Sequence, residues 1–315
     1  MDKTATRDVY GKILMELAGK DRDVVAMDCD LGRSTRSFNI TEVDPQRFIE
    51  MGIAEQDMIS TASGMASMGK IVFVNSFAVF ITGRAFDQIR QQVSLPNANV
   101  KICGSSAGLT QGPDGATHQS VLDVSLMRSL PNMTVIVPAD GNQTEKAVLA
   151  AYNIKGPIYL RLSRYQTGNF LSEDLKFEVG KAQIIREGEK VVLVSYGSVL
   201  KNVVDASDIL AETGVSVGVV NFHTIKPVDR GVIEELAGNY KLVISIEEHS
   251  IYGGLGSVVA EVMAENGETE QHSRLVRIGI KDTFGESGTA DELLRKYGLD
   301  AEGIAERVGQ LCEEA

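Results

Sequence analysis

Ile71-Val72-Phe73-Val74-Asn75-Ser76-Phe77-Ala78-Val79-Phe80 opens on a four-residue apolar run and continues through a polar pair into two aromatics three residues apart. Its first half reads as a strand buried on both faces, because no polar residue alternates with the apolar ones. The same kind of run recurs at Val24-Val25-Ala26-Met27, Val100-Lys101-Ile102-Cys103, Thr134-Val135-Ile136-Val137 and Ile158-Tyr159-Leu160-Arg161, with helical patterns between. Strands of this kind alternating with helices predict a parallel sheet covered on both sides. The pattern restarts at Val191-Val192-Leu193-Val194, Val215 to Val220, Leu242-Val243-Ile244-Ser245 and Leu275 to Ile278. The expected fold is therefore α/β, two doubly wound domains with mostly parallel sheets over 1–165 and 186–315. The aperiodic stretch 166–185, with Gly168 and Gly180, is the expected linker.

Bulk properties agree with two packed domains. The chain has 315 residues, 43% hydrophobic and 23% charged, and no stretch of roughly 18 uninterrupted apolar residues that would span a bilayer. Its N-terminus, MDKTATRDVY, has no basic start, apolar stretch and cleavage site of an export signal, so a cytoplasmic location and no membrane role are expected. Forty-three acidic residues against 31 basic ones give a net charge of -12, and no Lys/Arg run builds a stripe for nucleic acid. Local arginines can still bind phosphorylated metabolites, since site electrostatics do not follow net charge. Cys29, Cys103 and Cys312 form no C-x-x-C pair and are expected as free thiols. Neither His223 nor His272 has a spacing that joins it to other metal ligands, and no metal site is expected within the chain.

Several short stretches carry candidate chemistry. Met51-Gly52-Ile53-Ala54-Glu55-Gln56-Asp57-Met58 stands where a loop enters a helix expected over about Ala54 to Met68. Taken alone, Glu55 is a helix-start carboxylate favoured by the macrodipole. Phe77 and Phe80 suit either a core or the wall of a flat ring. Gly112-Pro113-Asp114-Gly115-Ala116-Thr117-His118-Gln119 is a turn-rich loop, in which a lone aspartate serves an Asx-turn and a lone histidine a surface. Arg7, in Ala5-Thr6-Arg7, and Arg164, in Leu162-Ser163-Arg164, have the planar fork that meets phosphate oxygens, and Asp30 and Ser34 lie in Asp28-Cys29-Asp30-Leu31-Gly32-Arg33-Ser34.

In this order the stretches resemble the later half of the transketolase family: its G-[IV]-x-E-[HQ] motif, its G-x-D-G-x-[ST]-H-Q loop, its A-T-R start, its D-L-x-x-S strand end and its L-S-R segment. The resemblance implies thiamine diphosphate as cofactor. It makes Glu55 the carboxyl at the aminopyrimidine N1′, where it favours the imino tautomer and so the loss of the thiazolium C2 proton. Phe77 and Phe80 then line the pyrimidine pocket, and Asp30 lies near the thiazolium. Asp114 and His118 face the sugar, and Arg7, Ser34 and Arg164 take the sugar phosphate. The family's third aromatic has no clear counterpart, since Gly83 lies near its place and Phe86 fits only with one residue inserted. Gly104-Ser105-Ser106 stands where the family has a further histidine.

The family's first domain, whose G-D-G motif holds a divalent metal (Mg or Ca) and the diphosphate, has no counterpart here. The resemblance therefore implies a partner subunit carrying that domain, a heterotetramer of two of each, and sugar phosphate substrates. Alone, the chain is expected to form a homodimer with half-built sites. Alternatives are a β subunit of a deoxyxylulose phosphate synthase-like enzyme or of a 2-oxoacid dehydrogenase, or a noncatalytic scaffold. In Glu247-Glu248-His249-Ser250-Ile251-Tyr252-Gly253-Gly254-Leu255-Gly256 the glycines are expected to form a tight βα turn, being an incomplete G-x-G-x-x-G, in a domain the family uses for dimer assembly.

Overall fold

The computed structural model describes residues 4–265 and 273–314, so His272 lies outside the described residues. The strands, in chain order, are β1 (Val24–Asp28), β2 (Phe48–Glu50), β3 (Ile71–Phe77), β4 (Val100–Ser105), β5 (Thr134–Ile136) and β6 (Ile158–Arg161). After them come β7 (Gln183–Arg186), β8 (Val191–Ser195), β9 (Val217–Asn221), β10 (Thr224–Lys226), β11 (Leu242–Ser250) and β12 (Arg274–Ile280). They form two sheets, ordered β10-β5-β6-β4-β3-β1-β2 and β12-β11-β8-β9-β7. Every pairing is parallel except β10 on β5 and β7 on β9, which are antiparallel edges. Both sheets are covered by helices, which is why β1, β8, β9 and β11 are buried along their whole length; β1, β8 and β9 read as largely apolar runs, whereas β11 turns polar after Ile246.

On the outer face of the first sheet, helices Thr6–Lys20 and Gly141–Asn153 bury Tyr10, Ile13, Leu14, Ala147 and Val148. The outer face of the second carries Leu200–Glu212 and Ala301–Glu313, through Leu200, Val203, Ile304 and Val308. A third cluster is continuous across the boundary between the domains. It runs from Met58, Ile102, Met127 and Val135 of the first into Val192, Phe222, Val243 and Leu255 of the second. Each such fully buried large side chain stabilises the fold by about 1.5–3 kcal/mol, so the two sheets are welded by a shared core.

The structure departs from the sequence expectation at short edges. Strand β7 begins at Gln183, inside the stretch read as linker, just after a turn at Gly180 with φ of +86°. At the other end of that stretch, Gln166 bridges back to Ala5. Strand β10 leaves the second domain to extend the first domain's sheet, and β2 is a half-exposed edge. Three or four residues at an edge are too few to display either alternation or a continuous run. No helix among the described residues is long and apolar enough to cross a membrane.

Candidate active site

The chain reaches Glu55 through a turn. Gly52 adopts φ of +65°, and its N–H donates to Glu50 Oε1 (2.9 Å). The helix Glu55–Ser67 then starts with Glu55 itself, 1% exposed. A helix-start carboxylate that served only the macrodipole would face water. Glu55 instead points at the carboxyl end of β3, where Ser76 Oγ donates to its Oε1 (3.2 Å) and Arg84 Nη1 to its Oε2 (2.5 Å). Arg84 is 44% exposed, so the carboxylate is buried but its partner is open to solvent.

Phe77 ends β3 and Phe80 lies in the following helix, Ala78–Arg84. Their rings are 6.0 Å apart and 16° from parallel. His118 sits edge-on to both, 5.2 Å from Phe80 and 6.3 Å from Phe77, with Nδ1 2.9 Å from the Thr117 hydroxyl. The Arg84 guanidinium lies 5.2 Å from the centre of the Phe80 ring. Glu55, Phe77, Phe80 and His118 are thus brought together, with Arg84 as a member that sequence reading missed. The available signal was its place one helical turn after Phe80. The expected third aromatic is supplied by neither candidate position: Gly83 is exposed, and Phe86 packs against the shared core.

Asp114 and Arg164 come together at a neighbouring place. Arg164 Nη1 donates to Gln111 Oε1 (2.8 Å) and lies 3.6 Å from Asp114 Oδ2, which also accepts from Gln111 Nε2 (2.6 Å). Arg164 borders a cleft of about 370 Å³ between the domains, lined also by Gln111, Pro113, Tyr165 and Asp291. Arg7 is half-buried, and its Nε is buried without a hydrogen-bond partner. Burial depresses its pKa; Asp8 opposes this, and the nearby Arg164 and Arg36 add to it. Arg36 is paired to Asp8 (2.6 Å), which leaves the guanidinium groups of Arg7 and Arg164 as those that can meet an oxyanion here.

Asp28 fixes the loop that bears Asp30 and Ser34. It is buried at the end of β1 and accepts from Leu31 N (2.7 Å), Thr35 Oγ1 (2.6 Å) and Ser37 Oγ (2.8 Å). Burial pushes its pKa up to about 6 against those bonds. Asp30 takes a left-handed conformation, φ of +62°, with its N–H donating to Glu50 Oε1 (2.7 Å). Asp30 and Ser34 line a second cleft with Arg33, Phe38, Phe48 and Glu50. Both stand just beyond the end of β1, on the loop that Asp28 holds. Ser105 and Ser106, at the end of β4, are buried with both hydroxyls unpartnered.

In the second domain, Glu247 accepts from the N–H groups of Leu255 (2.8 Å) and Gly256 (2.9 Å) and so caps the helix Leu255–Glu265. A side chain at Gly254 would collide with the Glu247 carboxylate, which is why the turn is glycine-rich. His223 stacks on Phe177 at 4.2 Å, and burial lowers its pKa to about 4. Among the described residues no group of three or more His, Cys, Asp or Glu could hold a metal ion.

Comparison with known proteins identifies both halves. Residues 2–168 match the model of the transketolase pyrimidine binding domain, and residues 180–304 that of the transketolase C-terminal domain. The chain is 43% identical to a Methanocaldococcus jannaschii protein provisionally described as a transketolase C-terminal section, covering 96% of this chain and 94% of that one. It is 38% identical to the 6-deoxy-6-sulfo-D-fructose transketolase subunit SqwH of a Clostridium species, covering 98% and 94%. A solved structure titled as a split gene transketolase, inactive beta4 tetramer, superposes with a TM-score of 0.87 at 42% identity over 97% of each chain. With its buried glutamate, aromatic pair and histidine loop on two domains that both match, the chain belongs to the transketolase family.

Proposed function

We propose that this chain is one subunit of a transketolase made as two polypeptides, and that with its partner it transfers a two-carbon ketol unit from a ketose phosphate to an aldose phosphate. One observation carries the reading: a carboxylate buried at a helix start, beside two near-parallel phenylalanine rings with a histidine against them. An aminopyrimidine fits this arrangement, since it offers a flat ring for Phe77 and Phe80 and a ring nitrogen for Glu55. When bound, thiamine diphosphate supplies the carbanion stabilisation that cleavage of a carbon–carbon bond beside a carbonyl needs.

Glu55 would hold a proton at N1′, with Ser76 and Arg84 orienting its two oxygens. His118 and Asp114 would bind sugar hydroxyls, and Arg7, Ser34 and Arg164 the phosphate. Asp30 would stand on the thiazolium side. The partner would carry the domain that binds the cofactor's diphosphate and holds the Mg or Ca ion, in a heterotetramer built on a dimer of this chain. In support, the chain covers nearly all of relatives described as a C-terminal section, a subunit or a split gene product.

The test is reconstitution. The isolated chain should form a homo-oligomer without turnover, and addition of a chain carrying the G-D-G domain should give both a 2 + 2 complex and ketol transfer. Assays with a ketose phosphate and with 6-deoxy-6-sulfofructose as donors then separate the substrates. Robust turnover by the homogeneous single chain would overturn the two-polypeptide reading.

A further inference from the structure

The loop 108–120 carries Asp114 and His118, yet it contains only one regular element, a single turn of 3₁₀ helix at Leu109–Gln111. Its ends are tied to each other by Gly108 N–H to Ser120 O (2.8 Å). What orients it comes from the second domain. Glu248, on β11 and 1% exposed, accepts the Thr110 N–H at Oε1 (2.6 Å) and the Ser198 hydroxyl at Oε2 (3.3 Å). Gly108 has φ of +83°, and a side chain there would collide with the Glu248 carboxylate, so the loop passes this group at the closest approach a backbone allows. From the first domain, Arg161 donates to the Glu248 carbonyl (3.0 Å) while paired to Asp123 (2.8 Å). At the far end of the loop, Gln119 Nε2 donates to Glu286 O (2.8 Å), also in the second domain.

A carboxylate this buried costs stability, and no Lys, Arg or His lies within ion-pair distance of it among the described residues. Arg161 offsets part of that cost through its charge, and the two carboxylate oxygens are bonded one to the loop, at Thr110, and one to Ser198 of its own domain. We propose that Glu248 is a positioning residue: through Thr110 it sets the loop so that His118 stands against Phe77 and Phe80 and Asp114 beside Arg164. The second domain then helps to build the sugar-binding surface as well as the assembly. This rests on the proposed function only for the word sugar; the geometric part stands alone.

The test uses the full chain, labelled in its histidines. The His118 imidazole signal, assigned with His118→Gln, should be displaced by the two phenylalanine rings, and His223, buried in the second domain, serves as the fold control. Glu248→Gln keeps an acceptor for Thr110 and should leave His118 in place. Glu248→Asp draws the acceptor back by one methylene, and Glu248→Ala removes it; both should shift His118 toward the free-imidazole position with His223 unmoved. An unmoved His118 in the folded Asp or Ala variant overturns the proposal. So does a Gln variant that displaces His118 equally or fails to fold, because an isosteric acceptor should suffice.

In the assembled enzyme, Glu248→Asp should lower kcat/KM for the sugar phosphate by roughly 10- to 100-fold with cofactor affinity unchanged, the scale expected of a misplacement near 1 Å. If the wild-type complex transfers no ketol unit, the proposed function fails while the imidazole result still decides the role of Glu248.

Discussion

Glu55→Gln separates chemistry from structure at the proposed site. The amide has nearly the volume of the carboxyl but one acceptor oxygen: it can accept from Arg84 while its NH2 donates to the Ser76 hydroxyl, and it loses the charge in the 2.5 Å contact with Arg84. A charge-assisted bond in a desolvated place contributes about 1.5–3 kcal/mol, but Arg84 is 44% exposed and water replaces much of that, so the stability loss should stay under about 1 kcal/mol. Loss of a positioned acid–base group costs about 10²- to 10⁴-fold in rate, or roughly 2.7–5.4 kcal/mol of barrier. The two effects differ enough to be told apart. With the variant assembled with its partner and saturated with thiamine diphosphate, hydrogen–deuterium exchange at the thiazolium C2 should slow by that factor. A glutamate that only complements the helix dipole would change stability by at most about 1 kcal/mol and leave exchange untouched. Exchange at the wild-type rate in a cofactor-saturated variant would remove Glu55 from the mechanism.

Arg164→Ala should raise KM for phosphorylated donors far more than for small unphosphorylated ones, with cofactor binding retained; steady-state kinetics on both donor types checks it, and equal losses would refute the phosphate assignment. A third expectation concerns pH. The unfolded chain protonates His223 near pH 6.5, whereas the folded chain resists until about 4, so this group removes stability as pH falls through that window. Asp28 acts oppositely: folded, it takes its proton near pH 6, against 3.8 unfolded, and adds stability as pH falls. Each effect is on the order of 3 kcal/mol, so they nearly cancel. Relative to wild type, denaturation midpoints of His223→Asn should rise between pH 6.5 and 4 and those of Asp28→Asn should fall; parallel pH slopes in the two variants would refute the pairing.

How much of this was legible in the sequence depended on range. Val191-Val192-Leu193-Val194 announces a doubly covered strand because all four side chains meet apolar neighbours, and β8 is buried throughout. β10 and β7 are edge strands of three and four residues, too short to show either alternation or a continuous run even where Ile225 is buried, so they left no trace. At the site, Gly52 to Glu55 was readable because a turn, a helix start and a carboxyl are consecutive. The bond from Arg84 to Glu55 spans 29 residues and that from Thr110 to Glu248 spans 138, and no local spacing encodes either. Asp114 and His118 share one loop yet face different partners, Arg164 and the phenylalanine pair, which a linear motif cannot resolve.

The join between the domains explains why the loop can be held from a distance. Asp123 is completely buried and accepts from Tyr159 (2.6 Å), Arg161 (2.8 Å) and Ser120 (3.2 Å). Burial alone would raise its pKa, but the charge of Arg161 holds it below the usual carboxylate range. A buried ion pair of this kind adds little net stability compared with apolar packing of the same volume, so stability is a poor account of it. Direction is a better one: Arg161 reaches from Asp123 to the Glu248 carbonyl, and Glu248 reaches on to Thr110. With the shared apolar core and β10 fixing the two sheets together, this chain of bonds transmits the second domain's position to the loop bearing His118. The loop bearing His118 is therefore ordered by this chain's own fold, and in the proposed two-subunit enzyme a partner would supply complementary groups rather than order.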